Sequence, residues 1–75
     1  MEQEVRVNAR GLSVPGPRLM VDAVLDRETP VLMRVVVSGL PAAEDVRRYL
    51  EGRGAAVEID TVGDEFHVLA RFRRP

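Results

Sequence analysis

The chain has 75 residues, 45% hydrophobic and 31% charged, with 11 basic and 12 acidic side chains and a net charge of −1. This describes one small globular domain near the lower size limit of a self-sufficient core, with no overall attraction to nucleic acid or an anionic membrane. Cysteine is absent, which excludes disulfides and thiolate metal sites. Arginine supplies every lysine or arginine position, which excludes Schiff-base chemistry.

The start, Met1-Glu2-Gln3-Glu4, is acidic and polar, unlike the basic-then-apolar order of a secretory signal, and no apolar run approaches a membrane span. A cytoplasmic location is the expectation. Glu4-Val5-Arg6-Val7-Asn8 alternates polar and apolar, which predicts a half-buried strand, and Asn8 and Gly11 mark a turn after it.

From Pro15 to about Arg27, apolar residues fall at Pro17, Met20, Val21, Val24 and Leu25. That spacing predicts an amphipathic helix with Met20 in its buried face and Arg18, Asp22 and Asp26 on the opposite side. Pro15 is expected at the first helical position. Val14, restricted by the following proline, is expected at the N-cap, where it offers no oxygen to the orphan N–H groups.

After Pro30, the stretch from Val31 to Val37 reads as a central strand. Met33, Val35 and Val37 share one side of it, and Leu32, Arg34 and Val36 the other. Ser38-Gly39-Leu40-Pro41 is a turn into a second helix from Pro41 to about Arg53, with Leu40 at its N-cap. Ala42, Val46, Tyr49 and Leu50 form the expected buried stripe, with Glu44, Asp45, Arg47, Arg48 and Glu51 solvated. Gly52 and Gly54 supply the stop.

The segments 56–60 and 65–72 predict a hairpin turning at Gly63. Val57 and Ile59 face the same way as Phe66, Val68, Ala70 and Phe72, leaving Glu58, Asp60, His67, Arg71 and Arg73 on an open side. The order β-α-β-α-β-β predicts a single α+β domain over residues 1–75. Its architecture is a two-layer sandwich, a four-stranded mixed sheet with two helices on one face.

Residues 10–18 are the best candidate surface. A helix start preceded by a glycine turn can receive an anion, with Arg10 and Arg18 placed to assist; alternatively Gly11, Pro15 and Pro17 only shape the turn while Val14 packs against a neighbour. His67, the sole histidine, is expected at the surface, and the open-face charges are expected to form cross-strand pairs rather than an acid–base couple. No catalytic triad, phosphate loop or metal spacing is present. The tail Arg71-Phe72-Arg73-Arg74 reads as a solvated end, and nucleic-acid binding is not expected.

The run Asn8-Ala9-Arg10-Gly11-Leu12-Ser13-Val14-Pro15-Gly16-Pro17 resembles the signature of the TusA/SirA sulfur-carrier family, Gly-Leu-x-Cys-Pro-x-Pro. Gly11, Leu12, Pro15 and Pro17 match, and Val14 stands where the family has its persulfide-carrying cysteine. The resemblance runs from Val5 to about Arg73. It departs a second time where Ser38-Gly39-Leu40 replaces the acidic residues that usually precede the second proline. It implies the family's two-layer sandwich, no cofactor, and a protein partner such as a cysteine desulfurase or another sulfur-relay protein. In that family, sulfur passes toward tRNA thiolation, molybdenum cofactor assembly or sulfur oxidation.

A relay needs a thiolate, which a helix start stabilises, and this chain has none. Two expectations follow. One is a degenerate sulfurtransferase-family member that keeps its docking surface, formed by Arg10, Gly11, Leu12, Val14, Pro15, Pro17 and Arg18, without a catalytic residue. The other is a binding module that uses an apolar turn around Leu12, Val14 and Leu40 and has no connection with sulfur. Joint exposure or burial of those three side chains separates a docking surface from a packed turn.

Overall fold

Strand alternation decides which side chains meet the helices. A computed structural model describes residues 4–73 and contains β1 (Glu4–Asn8), α1 (Gly16–Leu25), β2 (Leu32–Val37), α2 (Leu40–Gly52), β3 (Ala55–Val62) and β4 (Glu65–Phe72). The acidic start at Met1–Gln3 and Arg74 of the basic tail lie outside the described residues. The sheet runs β1-β2-β4-β3, with β1 parallel to β2 and β4 antiparallel to both β2 and β3. The α+β two-layer reading holds, and β2 is central as its apolar run predicts.

Every second residue points to one face. Val7 of β1, Met33, Val35 and Val37 of β2, and Val68 and Ala70 of β4 are buried with Val21 of α1 and Ala42, Ala43, Val46 and Leu50 of α2. Val57, Ile59, Phe66 and Phe72 are partly buried against this core, so Phe72 is a core-facing residue of β4 and not an aromatic offered by the tail. Ala43 joins the buried stripe, and Tyr49 sits half-buried at its flank. No helix among the described residues is long and apolar enough to cross a membrane.

The first helix is rotated relative to its sequence pattern. Met20 is 38% exposed, contrary to its predicted place in the core, while Pro17 and Val21 are buried. At about 100° per residue, Pro17, Val21 and Leu25 span one arc, Arg18 and Asp22 flank it on one side, and Met20 lies about 60° beyond it on the other. The second helix packs on the Arg18/Asp22 flank: Arg18 Nε donates to Asp45 Oδ2 at 3.2 Å, and the Tyr49 hydroxyl donates to Asp22 Oδ1. Arg53 donates to the Tyr49 oxygen at 2.8 Å and lies over its ring. Burial, and then the bond to Asp22, push the Tyr49 phenol above its usual range. Arg18 and Asp22 on the polar side of α1 thus meet the second helix, while Asp26 is exposed.

Both helix starts fall one residue away from expectation. Pro15, not Val14, is the N-cap of α1, and Gly39, not Leu40, is the N-cap of α2; neither position supplies a side-chain capping bond. The first helix thus begins one residue later than expected and the second one residue earlier, with Pro17 and Pro41 each second in its helix.

The hairpin turns at Gly63, φ 62°, and no non-glycine residue has a positive φ. Glycine at the first of two central positions, followed by Asp64 with negative φ, is a type II′ turn, whose twist matches that of the strands it joins.

His67 is 8% exposed, a correction to its expected surface position. It lies on the open face, but on β4, an inner strand, between Val36 of β2 and Asp60 of β3. Arg34 Nη1 is 2.9 Å from His67 Nδ1. Guanidinium nitrogens only donate, so Nδ1 accepts and Nε2 carries the ring proton. Arg34 also donates from Nε to Glu4 Oε1 at 3.2 Å, a pair between β2 and β1, whereas Glu58 and Asp60, expected to take part in cross-strand charge pairs on the open face, form no ion pair among the described residues.

Candidate functional site

Strands β1 and β2 are parallel neighbours, and each runs from its C-terminal end into a helix start. Their loops therefore lie side by side. Gly11 adopts φ 79°, a left-handed conformation that favours glycine, and donates its N–H to Ser38 Oγ at 3.0 Å, joining the two loops. The turn is drawn tight by Leu12 N–H to the Ala9 carbonyl at 3.3 Å and Gly16 N–H to the Ser13 carbonyl at 2.7 Å. The Val14–Pro15 peptide is cis. Leu12 lies over Gly16, where a Cβ would come within 3.2 Å of the Leu12 Cβ.

The result is an apolar rim. Leu12, Val14 and Leu40 are 41%, 47% and 51% exposed. A groove of about 210 Å³ runs between Leu12-Ser13-Val14 and the start of α2, where Gly39, Pro41 and Ala42 form the other wall. Leu40 projects from between two of those wall residues. Each of the three side chains named from sequence is exposed, and Leu12 and Val14 line the groove.

The electrostatics differ from the expectation for an anion site. Arg10 is bound in a fork by Glu65, through Nε to Oε2 and through Nη2 to Oε1 at 3.1 Å. Hydrogen bonding to Arg10 holds the Glu65 carboxyl below its usual range, and the same bond raises the guanidinium. Arg18 is held by Asp45. At the helix start itself, Gly16 N–H is already accepted by Ser13, Pro17 has none, and Leu19 N–H bonds the Pro15 carbonyl. Of the orphan donors, only that of Arg18 has no backbone acceptor among the described residues. Neither arginine points free charge at the turn, which is apolar in chemistry as well as in shape.

The predicted residues divide accordingly. Gly11, Leu12 and Val14 form the turn and Pro15 caps it, exposed; Pro17 is buried beneath the helix, and Arg10 and Arg18 serve as ion pairs at its margins. Sequence reasoning gave Gly16 no role of its own within residues 10–18 and did not assign Ser38 or Glu65 to the site. Gly16 between two prolines was the available signal; Ser38 and Glu65 are 27 and 55 residues from their partners, beyond any local pattern.

Chemically, the turn carries no thiol. Val14 is aliphatic, Ser38 Oγ accepts the Gly11 N–H, and the sole histidine is engaged by Arg34 on the sheet. Among the described residues no group of three or more histidine, aspartate or glutamate side chains is placed to hold a metal ion. What the turn can do is bury apolar surface of another molecule.

No protein-family model matches the chain, and no curated protein matches it in sequence. Among solved structures, the crystal structure of the SirA-like protein from Desulfitobacterium hafniense matches with a TM-score of 0.78, over 89% of this chain and 95% of that one, at 17% identity. The chain therefore has the fold of a SirA-like protein. It has that fold without a cysteine.

Proposed function

We propose that this protein is a non-transferring homologue of the TusA/SirA sulfur carriers that docks a protein partner through the turn formed by Leu12, Val14 and Leu40. The observation that carries the reading is the exposure of Leu12 and Val14 along a groove at the two helix starts, with Leu40 exposed between its wall residues Gly39 and Pro41 in the chain. Apolar surface held in water by a tight turn gains free energy when a partner covers it, at about 25 cal/mol per Å². The flanking arginines are neutralised by Glu65 and Asp45, so covering the turn does not strand a charge.

Sulfur transfer by this chain is not part of the reading, because an aliphatic side chain cannot take up a persulfide sulfur. By resemblance the partner is a cysteine desulfurase or another sulfur-relay protein in the cytoplasm, and no cofactor, metal, membrane or nucleic acid enters. The test is intact mass of the Val14→Cys variant after incubation with cysteine and a cysteine desulfurase, beside the unsubstituted protein. Gain of one sulfur on the variant alone is the expected result. No gain would favour the second reading, a binding module with no tie to sulfur. That reading draws on the helix start, where a thiolate would find few free donors.

A further inference from the structure

The type II′ turn sets the hydrogen-bond phase of the hairpin. Its closing bond joins Val62 to Glu65. Alternation along an antiparallel ladder then makes Asp60–His67, Glu58–Leu69 and Ala56–Arg71 the bonded pairs. Val57, Ile59 and Thr61 consequently direct their N–H and C=O groups away from β4. No backbone or side-chain group among the described residues takes them up.

Edge strands are usually blunted by lysine, proline, a bulge or a covering element. The outer strand β3 has neither residue, and its register with β4 is unbroken over eight pairs, so no bulge interrupts it. At the other edge of the sheet, β1 offers only five residues. The protection β3 does carry is electrostatic: Glu58 and Asp60 lie on its open face, and neither is ion-paired among the described residues. Of the other acidic side chains, Glu4, Asp22, Glu44, Asp45, Glu51 and Glu65 are ion-paired, while Asp26, Glu28 and Asp64 lie outside the strands and have no ion pair among the described residues. Two copies joined antiparallel about Glu58 or Ile59 would set these carboxylates opposite one another, which is destabilising. The same carboxylates attract a strand of the opposite charge.

We propose that the outer edge of β3 is a strand-addition site for an extended segment of a partner protein that alternates basic and apolar side chains. Residues two apart in such a segment share a face, so successive arginines would lie over Glu58 and Asp60. The intervening apolar residues would extend the layer of Val57 and Ile59. Main-chain bonds to Val57, Ile59 and Thr61 supply affinity, and the charge pairs supply selectivity. This site is separate from the apolar turn and does not depend on its reading.

The experiment follows amide resonances of the labelled protein during titration with two synthetic peptides of equal length, one alternating arginine and valine, the other glutamate and valine. The arginine peptide is expected to shift the Val57, Ile59 and Thr61 amides saturably, slow their hydrogen exchange, and weaken with added salt. Thr61→Pro removes an outward N–H that the ladder does not use and should lower affinity about tenfold. Glu58→Arg with Asp60→Arg should transfer the preference to the glutamate peptide. Equal binding of both peptides, no shift at the three amides, or shifts confined to Leu12, Val14 and Leu40 would overturn the proposal. If Thr61→Pro disturbs the fold, the charge-reversed variant decides: a retained preference for the arginine peptide also overturns it.

Discussion

The apolar turn and the open face of the sheet invert the expected relation between polarity and exposure. Val14, a valine, is 47% exposed, while His67, an imidazole, is 8% exposed. The difference lies in what stands beside each residue. His67 sits on an inner strand with neighbours about 4.8 Å away on both sides, and the Arg34 side chain reaches its ring. Val14 sits between a strand end and a helix start, where the chain turns away and no described residue covers it fully. Exposure here follows from topology, and that is why an exposed apolar residue on the turn signals an interface more strongly than a buried polar one on the sheet signals chemistry.

The comparison can be broken most sharply on α2, which carries a leucine of each kind. Leu50 is fully buried and Leu40 is not. Leu50→Ala is expected to destabilise by about 2–5 kcal/mol through lost burial and a residual cavity. Leu40→Ala is expected to stay within about 0.5 kcal/mol. Urea midpoints with unchanged m-values would measure both. If Leu40→Ala proves as damaging as Leu50→Ala, the turn is part of the core and the docking reading falls.

A smaller effect is expected on the sheet. His67→Ala leaves the half-buried Arg34 Nη1 without its acceptor and should cost about 1–3 kcal/mol, with Val14→Ser close to neutral beside it. Equal costs would mean that the two regions do not differ as their surroundings imply. Gly16→Ala tests the turn from within. The new Cβ meets Leu12 at 3.2 Å, so Leu12 must shift by a few tenths of an ångström while the helix gains a better former. The net change in stability is expected under about 1 kcal/mol. The Leu12 methyl resonances should move; if they stay fixed, Gly16 does not shape the groove.

The smallest effect is on the pH dependence. Hydrogen bonding to Arg10 lowers the Glu65 carboxyl in the folded protein, so between the lowered value and the ordinary one the unfolded chain binds more protons. Its contribution is therefore present above the ordinary carboxylate value and lost as pH falls through the lowered one. Glu44, lowered by its bond to Arg47, acts in the same sense. Arg10→Gln should flatten part of the acid limb of the stability curve. An unchanged limb would show that the fork adds nothing in solution.

Much of this molecule is legible without coordinates. The strand β1 falls where alternation puts it, at Glu4–Asn8, and the two-sided facing of β2, β3 and β4 follows period two, because in a strand the side-chain direction is a local property of the backbone. The candidate turn was legible from Gly11, Pro15 and Pro17, residues whose backbone restrictions act within a few positions. The occupancy of its arginines was not. Arg10 meets Glu65 and Arg18 meets Asp45 only because the sheet order and the helix pairing bring distant segments together.

By itself, then, the sequence determined the element order, the inward faces of the strands, the absence of a thiol and the position of the turn, all set by local geometry or by composition. The tertiary structure decided the rest. Packing of α2 against one flank of α1 turned Met20 outward and paired Arg18 and Asp22. Placement of β4 between β2 and β3 buried His67. Adjacency of two parallel strand ends set Leu12 and Val14 opposite Gly39, Pro41 and Ala42 across one groove, with Leu40 exposed beside it in the chain. The physical reason is common to all three: which neighbour a side chain meets depends on contacts between segments far apart in the chain, and no local period encodes them.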